Sequence, residues 1–397
     1  MDIETKNICM EIFDFTNNER LEEKLAKYKK LEILCDIFTY ITDEMFNTDF
    51  IVDIIDIIEI NLFRSLPPNQ LQKEFINYGP GFEKINSVDD PQMIHLNLIY
   101  QLLMLVIDFL KHRKEILELL IDEVFVEKTI DLIESEDSDE RDYVTKILCK
   151  FYQYLPSRRK IIDRIITNKL MEIVSNGHKI YINVENLLEI LLLKLDVVHS
   201  RDQQQSSMET TKSLLISLHR LPYVYYYHIQ LFSCTIKFIR KNPDHLVDLT
   251  TKILRLRPSV EKQSHSTTNC MMILVELNHI LDCLIGEKKS TDSSTEKDLR
   301  IDNAFKLLSP MIFNLFIRYL RSLNTEIVKF TLKIMNDLRY QNYFESYLKA
   351  NPSVCKQLIG VLENQAYRID WDYRCHVQQV LCSMYLRTLL ETTSSNR

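Results

Sequence analysis

Residues 93–110 read MIHLNLIYQLLMLVIDFL, and this stretch decides the fold class. Its apolar side chains recur every three or four residues, the spacing that gathers them on one face of an α-helix. The second half shows the pattern most clearly, with Leu102, Leu105, Val106, Phe109 and Leu110. Gln101 and Asp108 interrupt the run, so we expect a core helix that is too short and too polar to span a bilayer.

The same helical pattern extends in both directions from this stretch. In residues 51–62 the acids Asp53, Asp56 and Glu59 recur every third residue among isoleucines, which predicts a helix with one narrow polar stripe. Further helical stretches of about 12 to 20 residues follow, separated by short turns that contain Pro or Asn. A HEAT-type helix pair uses about 40 to 47 residues, so a chain of 397 residues would hold about eight or nine pairs. We predict an all-α fold, an elongated and curved α-solenoid of tandem HEAT-like helix pairs.

Glycine content excludes several classes of protein. The chain has 5 glycines, and none of them forms a phosphate-binding loop or a dinucleotide-binding turn. An all-β fold is also excluded, because its many tight turns depend on glycine.

Charge and cysteine content limit the partners and the compartment. The net charge is −7, and the first 200 residues hold the excess of acids, so nucleic-acid binding is not expected. Nine cysteines without a C-x-x-C pair indicate a reducing compartment, and residues 1–20 lack the apolar core of a signal peptide. We therefore expect a cytoplasmic or nuclear protein, or both. Its predicted parts are an N-terminal arm at 1–20, a single solenoid at 21–390 and a flexible tail at 391–397.

Catalytic and metal-binding patterns are scarce. The histidines form no zinc-binding pair, and no nucleophile elbow occurs. Asp89 and Asp90 resemble part of the Mg²⁺-binding motif of all-helical prenyl-chain enzymes, but the third aspartate is missing, so we interpret them as a solvated loop. We expect no catalytic residue, no cofactor and no metal. The default function of such a helical array is protein recognition on a concave surface.

Residues 135–140 (SEDSDE) mark one helix boundary in detail. Asp137 or Ser138 is placed to cap a helix that runs from about Asp139 to Tyr154, ahead of Pro156. Asp139 and Glu140 fall in its positively polarised first turn, and we interpret both as solvated.

Four stretches together resemble one known family. They are residues 61–68 (NLFRSLPP), 135–143 (SEDSDERDY), 185–191 (ENLLEIL) and 227–231 (YHIQL). In this order they resemble the B-prime regulatory subunits of protein phosphatase 2A, which are HEAT-like solenoids. The resemblance covers roughly residues 50 to 390. Met93, Arg257 and Met335 stand where the family usually carries tryptophan, so the chain resembles a divergent member.

The resemblance implies a non-catalytic regulatory subunit that docks on a scaffold subunit and a catalytic subunit. It also implies a groove that binds motifs of the form Leu-x-x-Ile-x-Glu in substrates or adaptors. The groove residues carried over are Cys149, Lys150, Tyr152, Arg159, Glu189 and Ile190. Cys149 and Lys150 replace a histidine and an arginine of the family, so weaker or altered motif binding is expected. Contacts with the partner subunits are expected at Asp89, Asp90, Glu136 and Asp137.

Two other functions remain open from the residues alone. One is a generic α-solenoid adaptor or transport factor unrelated to phosphatases. The other is an all-helical enzyme that uses Asp89 and Asp90 as a metal site.

Overall fold

The computed structural model of the protein describes residues 3–13, 19–40, 47–66, 92–177, 181–197, 204–221, 223–255, 266–286 and 294–366. These residues form 17 α-helices and no strand, which confirms the predicted all-α class. In chain order the helices are α1 (Ile3–Met10), α2 (Leu21–Tyr40), α3 (Thr48–Leu62), α4 (Met93–Leu110), α5 (Lys114–Leu120), α6 (Glu123–Asp131), α7 (Ser138–Tyr154), α8 (Arg159–Ser175), α9 (Val184–Asp196), α10 (Gln204–Leu218), α11 (His228–Lys241), α12 (Leu246–Arg255), α13 (Ser266–Gly286), α14 (Ser294–Leu320), α15 (Thr325–Met335), α16 (Leu338–Ala350) and α17 (Pro352–Ala366).

The described residues fall into two compact units. One lies within Met1–Gln204 together with Leu221–Tyr223, and the other lies within Gln205–Arg220 and Val224–Arg397. The division of the chain into arm, solenoid and tail stays a prediction. Asp89, Asp90 and Arg257 lie outside the described residues.

In the first unit the helices are stacked in two rows. Helices α4, α7 and α9 pack side by side, and α6 packs against α8 in the second row. The rows are joined because α6 also contacts α7 and α8 also contacts α9. Aromatic rings fill the contact between rows, where Phe125 of α6 meets Phe151 of α7 with ring centroids 6.1 Å apart. This repeated pairing is the arrangement of an α-solenoid.

The second unit repeats the same arrangement. Helices α11, α13 and α15 pack side by side, and α14 packs against α12 and α17. Contacts of α13 with α12 and α14 join the rows. Phe313, Phe316 and Tyr340 are among its largest fully buried side chains.

The apolar helix α4 is a core element of the first unit. It contacts α2, α3 and α7, and its buried residues include Tyr100, Leu103 and Ile107. Met93–Leu110 and Thr267–Ile285 are nevertheless long and apolar enough to cross a membrane by length and composition, and 56% and 44% of these windows are buried in the fold. The length and polarity of these two helices therefore do not by themselves exclude a membrane-spanning segment. The packing of α4 gives a second reason for its apolar composition.

Local sequence determines where α7 begins and ends. Of the two candidate caps, Asp137 is the residue used, since its carboxylate accepts hydrogen bonds from the backbone N–H groups of Asp139 and Glu140 at 2.8 and 3.1 Å. At the other end the helix stops at Tyr154, because Leu155 precedes a proline and the residue before a proline is disfavoured in the α-helical conformation. The predicted limits of this helix are thus correct to within one residue.

The interpretation of Glu140 as a solvated residue is wrong. Its side chain is fully buried, and Arg64 reaches it with two hydrogen bonds of 2.7 and 3.0 Å. The Tyr100 hydroxyl donates a third bond of 2.7 Å. A carboxylate can be buried where such partners replace its water.

Candidate peptide-binding site

The candidate site is carried by three consecutive helices of the first unit. Pro156 begins a short 3-10 turn, Pro156–Arg158, that leads from α7 into α8. Helix α9 packs against both α7 and α8. Each helix buries one apolar face in these contacts, so side chains at the edges of those faces come close to one another.

Tyr152 of α7 and Arg159 of α8 lie together, as the sequence predicts. The guanidinium carbon of Arg159 is 5.5 Å from the centre of the Tyr152 ring, within the range of a cation–π contact. Arg159 Nε donates to the Tyr152 carbonyl at 2.7 Å, and Nη2 donates to the Gln153 carbonyl at 3.3 Å. Among the described residues, Nη1 of Arg159 makes no hydrogen bond. That nitrogen is the donor available for a carboxylate.

Asp163 and Lys194 extend this pair, and sequence reasoning missed both. The Tyr152 hydroxyl lies 3.4 Å from Asp163 Oδ2, and Lys194 Nζ lies 3.8 Å from Asp163 Oδ1. Burial, and then Asp163, raise the pKa of Tyr152 above its usual value, while Arg159 acts in the opposite direction. Tyr152 is fully buried, and its hydroxyl donates to Asp163 in this structure. The spacing of Asp163, four residues after Arg159, is the signal that could have found it.

Cys149 and Glu189 are the second pair that the fold brings together, across the contact of α7 with α9. Burial, and then the charge of Glu189, raise the pKa of the Cys149 thiol to about 11. Partial desolvation of its carboxyl group, and then the charges of Glu185 and Asp142, raise the pKa of Glu189. Cys149 is half-buried and Glu189 is exposed. Because Cys149 lies three residues before Tyr152, this pair continues the same face of α7.

Lys150 and Ile190 are placed differently. Lys150 Nζ donates a hydrogen bond to Asp108 Oδ1 of α4 at 2.5 Å, so its charge faces α4 rather than α8 or α9. Ile190 is 1% exposed and belongs to the core. Their roles in motif binding stay predictions.

Glu136 and Asp137 are largely buried. They are 6% and 7% exposed, and Asp137 caps α7. Arg141 donates to the carbonyls of Ser135 and Glu136 at 2.7 and 3.0 Å, which holds this turn closed. Their assignment to partner contacts stays a prediction.

Metal ligands are not assembled in the described part of the chain. There, no group of three or more His, Cys, Asp or Glu side chains could hold a metal ion.

Comparisons with known proteins identify the family. The profile of the family described as "Protein phosphatase 2A regulatory B subunit (B56 family)" matches residues 3–365. The chain is 26% identical over 282 residues to the serine/threonine-protein phosphatase 2A regulatory subunit psrA of Dictyostelium discoideum. These aligned residues are 70% of this chain and 43% of the relative. The B' eta isoform of the 59 kDa regulatory subunit from Arabidopsis thaliana is 24% identical over 378 residues, or 94% of this chain and 68% of the relative.

A human relative gives a similar result. The delta isoform of the 56 kDa regulatory subunit from Homo sapiens is 26% identical over 282 residues, or 70% of this chain and 44% of the relative. The chain thus spans less than half the length of the human and Dictyostelium relatives that it matches. Since the profile nevertheless covers nearly the whole of this chain, the chain belongs to the B56 family of regulatory B subunits of protein phosphatase 2A.

Proposed function

We propose that the chain is a non-catalytic regulatory subunit of a protein Ser/Thr phosphatase of the 2A type. It docks on the scaffold and catalytic subunits and works in the cytoplasm, the nucleus or both. The observation that carries this proposal is the match of the family profile to residues 3–365. Asp89, Asp90, Glu136 and Asp137 are the proposed contacts with the partner subunits.

The proposed mechanism is tethering of substrates. A bound motif holds a substrate near the partner's active site, which raises the effective concentration of its phosphosites. The chain itself supplies no catalytic group in this mechanism.

We assign motif binding to the surface around α7, α8 and α9, with Leu-x-x-Ile-x-Glu-like peptides as ligands. Nη1 of Arg159 supplies a charge-assisted hydrogen bond to the peptide carboxylate, and the exposed Glu189 accepts from peptide N–H groups. Tyr152 and Ile190 form the apolar base beneath them. Asp163 lies beside Tyr152 and repels a carboxylate there, so Lys194, which pairs with Asp163, is needed to reduce that repulsion.

Titration of a labelled Leu-x-x-Ile-x-Glu peptide tests this assignment. Arg159→Ala removes the proposed carboxylate donor and should weaken binding by about 1.5 to 3 kcal/mol. Arg164→Ala is the matched control, because Arg164 lies on the same helix, is 61% exposed and pairs with Glu127. Equal affinities of wild type and Arg159→Ala would refute the role of Arg159.

A further inference from the structure

Lys194 of α9 lies within the candidate site with donors that no described residue satisfies. Its Nζ is 3.8 Å from Asp163 Oδ1, which is too far for a hydrogen bond. The Lys194 side chain is 14% exposed, and in the described part of the chain its Nζ makes no hydrogen bond. An ammonium group has N–H donors on three sides, and burying them without acceptors costs free energy. Lys194 can therefore donate to a further anion.

Arg159 is a second cation of this surface with a donor that is not used. Its Nε and Nη2 donate to the carbonyls of Tyr152 and Gln153, and among the described residues Nη1 makes no hydrogen bond. Arg159 and Asp163 lie one turn apart on the same face of α8. Because Lys194 contacts Asp163, the two cations are carried to the same part of the surface.

The side chain of Tyr152 connects these charged groups. Its ring centre is 5.5 Å from the guanidinium carbon of Arg159, and its hydroxyl is 3.4 Å from Asp163 Oδ2. Arg159 and Lys194 carry two positive charges here, and Asp163 balances one of them. A ligand carboxylate has two oxygens with about four lone-pair sites, so it can accept from both cations. The charge and the unused donors therefore favour an anionic ligand group.

Lys150 does not supply this second cation in the structure. Its Nζ donates to Asp108 Oδ1 of α4 at 2.5 Å. Lys194 comes instead from α9, which packs against both α7 and α8. Its contact with Asp163 keeps the ammonium group of Lys194 close to the hydroxyl of Tyr152.

We propose that Lys194, together with Arg159, binds the carboxylate of the peptide motif directly and so determines the preference for an acidic residue at the last position of the motif. The ligand is the Leu-x-x-Ile-x-Glu-like peptide of the proposed function, on which this inference rests. Asp163 is a positioning residue that holds the ammonium group of Lys194 in place and competes with the ligand for it. Direct binding goes beyond the proposed function, in which Lys194 reduces the repulsion from Asp163.

The test uses the full chain, a labelled Leu-x-x-Ile-x-Glu peptide and the same peptide with Gln at the last position. Fluorescence anisotropy should show that Lys194→Met, which keeps the length of the side chain, weakens binding of the Glu peptide about tenfold. Binding of the Gln peptide should change little. Lys169→Met is the matched control, because Lys169 lies on α8, is 17% exposed and pairs with Glu134. This control should bind both peptides as wild type does.

Variants at Asp163 separate direct binding by Lys194 from a reduction of repulsion. Asp163→Asn removes the competing carboxylate and should tighten binding of the Glu peptide, a gain that misfolding cannot produce. The double variant with Asp163→Asn and Lys194→Met should bind the Glu peptide about tenfold more weakly than Asp163→Asn alone. If Lys194 acted only by reducing the repulsion from Asp163, these two chains would bind equally.

The direct role of Lys194 is overturned if Lys194→Met binds the Glu peptide as tightly as wild type, or if the double variant matches Asp163→Asn. Either result, combined with weaker binding by Arg159→Ala, leaves the proposed function standing. Failure of the wild-type chain to bind either peptide refutes motif binding at this surface and the role of Lys194 with it.

Discussion

At the scale of the residue, the protonation of His219 follows from its two hydrogen bonds. Nδ1 lies 2.6 Å from the Leu215 carbonyl, and Nε2 lies 2.8 Å from Glu276 Oε1. Both partners are acceptors, so both ring nitrogens must donate and the ring is an imidazolium. Burial acts to lower the pKa of His219, but the charge of Glu276 and the two hydrogen bonds outweigh it, and the pKa is raised.

This pair makes the stability of the second unit depend on pH. A raised pKa of His219 means that its contribution is complete below the ordinary value of 6.5 and is lost as pH rises through the raised value. His219 lowers the pKa of Glu276 despite burial, so the contribution of Glu276 is present above 4.5 and lost as pH falls. The pair therefore stabilises most between these two values. His228, 3.8 Å from Glu276, is the other histidine that acts on this carboxylate.

We predict that His219→Gln destabilises the protein by about 3 to 5 kcal/mol near pH 6, because the buried Glu276 loses the nearer of its two histidine partners. The difference from wild type should shrink as pH rises above 6.5, and urea denaturation at several pH values measures it. His279→Gln is the control, since His279 is exposed on the same helix as Glu276. A difference that does not change with pH would contradict the charged pair.

A second residue-scale prediction concerns Glu140. Glu140→Gln should destabilise the protein by about 3 to 5 kcal/mol, because Arg64, whose side chain is 13% exposed, loses its counter-charge. Tyr100→Phe removes one hydrogen bond and should reduce stability by about 1 kcal/mol. Denaturation of Glu172→Gln, an exposed glutamate, should match wild type. Equal stability of Glu140→Gln and wild type would mean that this ion pair contributes nothing.

At the scale of the element, short-range sequence signals were sufficient to predict the limits of α7 but not the residues that contact it. The Asp137 cap and the Pro156 stop depend on neighbours in sequence, and the predicted limits were close. The burial of Glu140 depends on Arg64, 76 residues away, and no local pattern reveals such a partner. Arg64 and Glu140 belong to two of the stretches that carry the family resemblance, so those stretches meet in the fold.

The cap gives a prediction of its own. Asp137→Ala leaves two backbone N–H groups of α7 without an acceptor and should reduce stability by about 1 kcal/mol. Ser138→Ala, at the position that the sequence left as the alternative cap, should have little effect. Faster hydrogen exchange at Asp139 and Glu140 in the first variant alone would support the assignment. Equal exchange in both variants would contradict it.

At the scale of the whole molecule, periodicity predicted the helical class, because spacing along one chain determines which face is apolar. The candidate site was predicted less completely. Tyr152 and Arg159 were brought together as expected, yet Lys150 pairs with Asp108, and Asp163 with Lys194 was missed. Such pairings depend on how separate helices pack. A sequence resemblance identifies corresponding positions, but it does not identify the side chains that surround them in this chain.

The most direct test of the central claim is reconstitution of the complex. Purified chain is mixed with the scaffold and catalytic subunits of protein phosphatase 2A from the same source and separated by size-exclusion chromatography. The account predicts one peak that contains all three chains in equal amounts. Elution of this chain alone, under conditions where the other two associate, would contradict it.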